Sequence, residues 1–352
     1  MSARTELASA VRTFSPAYFA MVMATGIVSM ASHLLGYDAV ARVLFALNVG
    51  AFVVLWAFTI ARAIAFPREL LRDLVDHTRG PGFFTWVAGA CMLGSQFVLI
   101  ARDLRIAVAL WLLGMFLWLV LTYTIFTGLT VKEEKPSLDR GITGAWLLAV
   151  VATQSVAVLS ALIAQHWGQP YRLEANFLAL CMWLWGGMLY IWMISLIFYR
   201  YTFFRFFAGD LTPPYWINMG AMAISTLAGA LLIISAPDAP FLMSLLPFLK
   251  GFTIFYWVTG TWWIPMLVLL GAWRYIYKRF PLAYDPLYWG AVFPLGMYTA
   301  ATWRLTEAMP LGFLAFVPRT FVWIAYAAWA ATFVGLLRAL VRGGRRMVAR
   351  AA

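Results

Sequence analysis

The chain has 352 residues, 64% of them hydrophobic and 11% charged, with a mean hydropathy of +0.83. Soluble domains run at about 45–50% apolar and about 25% charged, so this composition excludes an ordinary soluble protein and indicates many membrane crossings. A net charge of +12 would suggest a nucleic-acid partner in a soluble chain; here it reads as basic loops on the cytoplasmic face, with no nucleic acid implied.

Ten segments are apolar over the roughly 20 residues a spanning helix needs. They cover about 15–35, 39–64, 82–101, 106–128, 142–164, 175–199, 214–235, 246–272, 287–305 and 313–338. The opening Met1-Ser2-Ala3-Arg4 leads into no cleavable apolar region, so the first run is expected to be a span and not a signal peptide. Connections are short, which predicts a single transmembrane domain over 1–352 facing membrane lipid, with the basic tail Arg338 to Arg350 a short surface helix or disordered. Eighteen tryptophans and fifteen tyrosines suit belts at the two interfaces. Cys91 and Cys181 lie within apolar runs and form neither a disulfide framework nor a CxxC site.

One pattern recurs at the start of every odd-numbered span. Pro16-Ala17-Tyr18-Phe19, Pro81-Gly82-Phe83-Phe84, Pro213-Pro214-Tyr215-Trp216 and Pro286-Leu287-Tyr288-Trp289 each open an apolar run, and Thr143-Gly144-Ala145-Trp146 fills the gap without a proline. The starts lie 65, 62, 70 and 73 residues apart, which suits a pair of spanning helices plus turns. The repeat predicts hairpins at about 15–66, 81–131, 141–205, 213–279 and 286–342. Proline is tolerated at a helix start because its missing N–H had no partner there. The aromatic pair that follows is expected at headgroup level, and the fifth-helix entry is expected to be less kinked than the others.

Lysine and arginine set the orientation. The N-terminus, the loops after even-numbered spans and the C-terminal tail hold 19 of them and the opposite side 7, which places both termini in the cytoplasm of a cell-membrane protein. All five odd helices then start at the cytoplasmic face. Five parallel hairpins cannot pair off as an inverted repeat, and closure into a ring solves their packing. The fold expected is an all-α polytopic membrane protein, ten transmembrane helices as five parallel helical hairpins around a central pore, with odd helices inside and even ones against lipid.

Composition supports that division. Odd spans carry small and polar residues, among them Ser29, Gln96, Thr153, Gln154, Ser225 and Thr299, while even spans are greasier, as in Phe52 to Phe58. Small residues also serve close helix packing, and Gln96 and Gln154 need either a lumen or another helix as partner. Seven positions past the aligned starts stand Met23, Ala88, Val150, Gly220 and Phe293: four modest side chains and one phenylalanine, the composition of a plug in a narrow pore. Phe293 could equally be a packing or lipid-facing aromatic. Pro294 follows at once, and a proline inside a helix kinks it and frees a carbonyl.

No odd span has an ionisable residue at mid-depth, whereas a proton-coupled carrier keeps an intramembrane carboxylate or histidine. His33, Arg304 and Glu307 lie near outer ends; His33 and Arg304, 17 and 18 positions past their motif starts, form either an outer vestibule pair or separate surface contacts. At the inner mouth five helix starts each present about half a positive charge, which favours anions. Arg12, Arg79 and Arg140 precede three of those starts, and Asp210 and Asp285 precede the other two and work against the effect. The pattern points to a path for small anions of low affinity and fast flux. His33, His77 and His166 are far apart, so no metal, cofactor or catalytic site is expected, and an enzyme or a structural membrane protein is a weaker reading.

The run Pro16-Ala17-Tyr18-Phe19-Ala20-Met21-Val22-Met23-Ala24-Thr25-Gly26-Ile27, with Tyr288-Trp289 and Phe293-Pro294, resembles the tellurite-resistance/dicarboxylate transporter family. That family takes in tellurite-resistance permeases, malate permeases, sulfite efflux pumps and slow-type anion channels. The resemblance spans essentially the whole chain. It implies five hairpins around a pore, usually a homotrimer, with a ninth-helix phenylalanine occluding the lumen; by motif that residue is Phe293. It implies C4-dicarboxylate, sulfite, tellurite or chloride as cargo, and both passive channels and proton-coupled carriers for C4-dicarboxylates or sulfite.

Overall fold

A computed structural model describes the backbone of residues 3–351 and the side chains of residues 8–342. Ten long helices follow one another: α1 (Ala20–Leu34), α2 (Asp38–Ala65), α3 (Phe84–Gln96), α4 (Leu104–Val131), α5 (Leu148–Ala164), α6 (Tyr171–Phe203), α7 (Ile217–Ser235), α8 (Leu246–Ala272), α9 (Trp289–Ala308) and α10 (Phe316–Ala351). Among the described residues nine are long and apolar enough to cross a membrane, α9 being the exception. Its Trp, Tyr, Thr and Pro content, with Arg304 and Glu307 near its end, lowers its hydropathy, yet it packs among α1, α7 and α10. It counts as a span by position.

The five motifs fold alike. Each forms a one-turn 3-10 helix immediately before an odd helix: Pro16–Phe19, Gly80–Phe83, Gly144–Leu147, Pro213–Trp216 and Pro286–Tyr288. Backbone N–H groups at a helix start lack intrahelical acceptors. Ser15, Thr143 and Asp285 each supply one, accepting from the N–H two residues on. The fifth-helix copy therefore enters through the same turn as its proline-bearing counterparts. Thr143 caps its turn as Ser15 and Asp285 cap theirs, so Gly144 opens the turn as Pro16 and Pro286 do; in the second hairpin Gly80 opens it and Pro81 follows.

Each turn packs against the next and the last against the first, so all five odd helices begin at one face. Behind the turns, α1, α3, α5, α7 and α9 pack in the same cyclic order, with α9 closing on α1. The even helices lie outside. Between 72% and 100% of the most apolar stretch is buried in the spans of α1, α3, α5 and α7, against 17% to 44% in the even helices. A chain whose outer surface displays Val53, Phe116, Trp192 and Leu269 fits a hydrocarbon surround.

Of the motif aromatics, Phe19, Phe83, Phe84, Tyr215 and Trp289 are buried within the protein because the helices they start are enclosed by the outer ring, while Tyr18, Trp146, Trp216 and Tyr288 are half-buried. Phe19, for example, packs edge-on against Phe52 and Trp56 of α2. The C-terminal tail is neither a separate helix nor irregular but continues α10 to Ala351. The side chains of Arg4, Arg345, Arg346 and Arg350, used above for orientation, lie outside the described residues.

Candidate functional site

The direction in which Phe293 faces follows from its neighbours on α9. Pro294 meets Gly220 of α7, where a Cβ would come within 2.7 Å of Pro294 Cγ. Gly296 meets Ile27 and Val28 of α1. Tyr298 pairs with Thr261 of α8 at 2.8 Å, and Thr302 accepts from Trp257 of α8 at 3.0 Å. Successive residues turn by about 100° around a helix. With α7, α8 and α1 assigned, the arc left over carries Phe293, Met297 and Ala300 and points into the ring. Phe293 is 0% exposed.

The expected counterparts of Phe293 on the other odd helices are Met23, Ala88, Val150 and Gly220. Met23 and Ala88 are likewise buried, on faces that their helices' contacts to neighbours leave free. On α1 those contacts run through Thr25, Ser29 and Ser32, and on α3 through Thr85, Gly89 and Cys91. Val150 does not belong with them. It lies on the arc between Thr153, which faces α4, and Gln154, which faces α6, and so turns toward the outer helices. Gly220 sits at the seam with Pro294. Met23, Ala88 and Phe293 are each apolar and no more than 1% exposed.

The expected polar lining turns outward. The Gln96 amide oxygen accepts from Asn48 of α2 (2.7 Å), Thr153 accepts from Trp118 of α4 (2.8 Å), and the Ser225 carbonyl accepts from Trp183 of α6 (2.8 Å). Thr302 and Thr25 are held the same way by Trp257 of α8 and Trp329 of α10. Each outer helix thus donates to the inner helix of the following hairpin, and α10 closes the series on α1. Gln154 donates to the Trp183 carbonyl (3.0 Å) and Ser29 to the Ala41 carbonyl of α2 (2.7 Å). The hydroxyls of Ser225 and Thr299 return to carbonyls of their own helices. Of the two partners open to Gln96 and Gln154, the structure supplies the neighbouring helix.

The charged residues at the ends also differ from expectation. His33 contacts Asp38 (2.7 Å) and Arg304 contacts Glu307 (2.7 Å), so each has its own acid and they do not form one pair. At the face where the turns meet, Arg12 is bound by Glu69 (3.0 Å) and Arg79 by Asp73 (3.1 Å), while Arg140 is exposed. Arg79 shares Asp73 with the buried Arg62, so one carboxylate answers two guanidiniums there, and of the three expected charges only that of Arg12 is fully matched. In the adjoining loop, burial and then Lys132 push the His77 imidazole below its ordinary value.

Residues that the sequence reading passed over hold this face together. Arg62 at the end of α2 is buried, bound to Asp73 (2.6 Å) and to the carbonyls of Arg12 and Phe14. Arg200 at the end of α6 is buried with Asp210 (3.7 Å), the Ile142 carbonyl (2.7 Å) and the Tyr215 hydroxyl. The signal was present: an arginine ending an even helix with an aspartate ten or eleven residues later.

A closed ring of parallel helices, apolar within and encased by a second helical layer, defines a multi-pass membrane protein of the transport class. Residues 13–337 match the voltage-dependent anion channel family, and the chain belongs to that family. Membership assigns it to membrane anion transport in general. An uncharacterized transporter of Methanocaldococcus jannaschii is 25% identical over 345 residues, 95% of this chain and 97% of its own length. A sulfite efflux pump of Trichophyton rubrum is 25% identical over 347 residues, 92% of this chain and 90% of its own. An uncharacterized membrane protein of Mycobacterium tuberculosis is 38% identical over 161 residues, 45% of this chain and 81% of its own.

Proposed function

We propose that small inorganic anions, sulfite foremost, cross the cell membrane through the axis of the ring and that Phe293 is the gate. The observation that carries this reading is the arc of α9 left over once Pro294, Gly296, Tyr298 and Thr302 have been assigned to neighbours. A phenyl ring on that arc, with Met23 and Ala88, leaves no wet path. An anion entering such a constriction loses hydration without gaining a counter-charge, so the closed barrier is electrostatic as well as steric. Moving one ring aside admits water and lowers both parts. Sulfite is favoured because a relative named as a sulfite pump aligns over nine tenths of this chain.

Passive flux is favoured over proton coupling. Among the described residues the buried charged groups are Arg62, Asp73, Arg200 and Arg274, all at helix ends or in a loop, and none of them is placed to carry a proton across mid-depth. We further propose cytoplasmic termini and a homotrimer, the lipid-facing even helices being the surfaces available for assembly. The test is flux of labelled sulfite, malate and chloride into proteoliposomes with and without a pH gradient. Downhill flux raised by Phe293→Ala supports the reading; uphill uptake driven by the pH gradient overturns it in favour of a carrier.

A further inference from the structure

Arg274 repeats the position of Arg62 and Arg200, at the end of an even helix, yet lacks their acid. It is 7% exposed, and its Nε and Nη1 are buried with no acceptor. Its counterpart carboxylate, eleven residues on, is Asp285. That side chain is exposed and turned to the Leu287 N–H (2.8 Å), where it caps the last 3-10 turn. The guanidinium stacks 4.2 Å from the Phe280 ring centroid and 5.1 Å from that of Tyr275. Stacking offsets part of the charge but accepts none of its N–H groups. A buried cation without counter-charge or acceptors is costly, which is why Arg62 and Arg200 have both.

The guanidinium lines a cavity of about 70 Å³ between the Pro213–Trp216 and Pro286–Tyr288 turns. By this measure a single water needs about 10–15 Å³, so there is room for an ion of a few heavy atoms. Thr212 and Tyr288 line the same cavity. The Tyr288 and Tyr275 hydroxyls lie 2.7 Å apart, and whichever accepts in that pair keeps its own proton to donate.

We propose that this cavity binds a small inorganic anion, which takes the place that Asp73 and Asp210 fill beside Arg62 and Arg200. The ion is chloride or a compact oxyanion such as nitrate or sulfite, held by Arg274 with a hydroxyl of Thr212 or Tyr288. The site lies beside the face where the five turns meet, off the axis that Phe293 occupies. It makes no claim about what crosses the ring.

The test reads binding without flux. Full-length protein in detergent is brought to constant ionic strength with gluconate, and thermal unfolding is followed while chloride, nitrate or sulfite replaces it. A saturable rise in Tm is expected for the small anions. Arg274→Gln is expected to raise the half-saturating concentration at least tenfold, and Tyr288→Phe several-fold. An unchanged half-saturation in Arg274→Gln, or no saturable rise in the unmodified protein, overturns the proposal. Should Arg274→Gln not fold, bromide-soaked crystals of the unmodified protein decide: an anomalous peak beside Arg274 supports the site, and ordered bromide elsewhere with none there overturns it. Repeating the titration with added anionic lipid separates sources, since competition would assign the site to a lipid phosphate rather than a free ion. Failure here leaves the pathway proposal standing, and the reverse also holds.

Discussion

Gly220 and Pro294 meet so closely that a single added carbon on the glycine would lie 2.7 Å from Pro294 Cγ, 3.0 Å from its Cβ and 3.3 Å from its Cα. The proline ring and backbone cannot swing away as a long side chain can. Gly220→Ala is therefore expected to lower stability by about 1–3 kcal/mol, the range for overpacking, and Gly220→Leu by more. Thermal unfolding in detergent checks this. An unchanged Tm in Gly220→Ala would show that the α7–α9 seam is looser than described.

Phe293→Ala is expected to raise anion flux about tenfold or more, equivalent to about 1.4 kcal/mol off the barrier. Truncating a buried phenylalanine also costs about 3–5 kcal/mol in a packed core. The two effects separate in one preparation. A destabilised protein with background flux would make Phe293 a packing residue, whereas high flux per folded molecule would make it the gate. Liposome efflux normalised to monodisperse protein provides the measurement.

Asp73 serves Arg62 and Arg79 together. Removing it by Asp73→Ala leaves Arg62 buried and uncompensated, with an expected loss of about 3–5 kcal/mol. Replacing both members, as in Arg62→Met with Asp73→Leu, is expected to recover much of that loss. Equal Tm values for the single and double variants would contradict this account.

The bonds between the two rings are expected to rank by what each loss leaves behind. Asn48→Leu strands the buried Gln96 amide, at about 1–3 kcal/mol. Trp118→Phe leaves Thr153 still bonded to the Ala149 carbonyl, and such interhelical bonds average about 0.6 kcal/mol. The order of Tm losses, Asn48→Leu before Trp118→Phe, is the quantity to measure.

His77 gives a pH dependence of known sign. Its pKa in the fold lies below the ordinary 6.5 because of burial and the nearby Lys132. The unfolded chain therefore binds the proton first as pH falls, and stability declines below about pH 6.5 while staying level above it. The group is largely solvated, so the slope is shallow. His77→Gln is expected to flatten that part of a Tm–pH profile, and an identical profile would remove His77 from the account.

Much of the architecture was legible because membrane spans are long, apolar and written five times over. Proline-aromatic starts marked four of the five odd helices, and the small-residue content of all five separated inside from outside. At Thr143 a capping threonine imitates the motif's first position; only the turn's backbone reveals that Gly144 opens the turn. Polar residues such as Gln96 and Thr153 were ambiguous in principle, since a lumen and a neighbouring helix ask the same of a side chain. Their partners, Asn48 and Trp118, lie 48 and 35 residues away, and no local pattern announces them. Arg274 was hidden for a different reason. Its meaning is a missing partner, visible only beside the two arginines that have theirs.

The last bond in the circle joins Thr25 to Trp329, 304 residues apart. Whatever enters the bilayer first during synthesis must wait there, one flank bare, until nearly the whole polypeptide has emerged. Loss of the final thirty residues would thus do more than shorten the chain. It would leave four completed stitches and the outer flank of α1 uncovered.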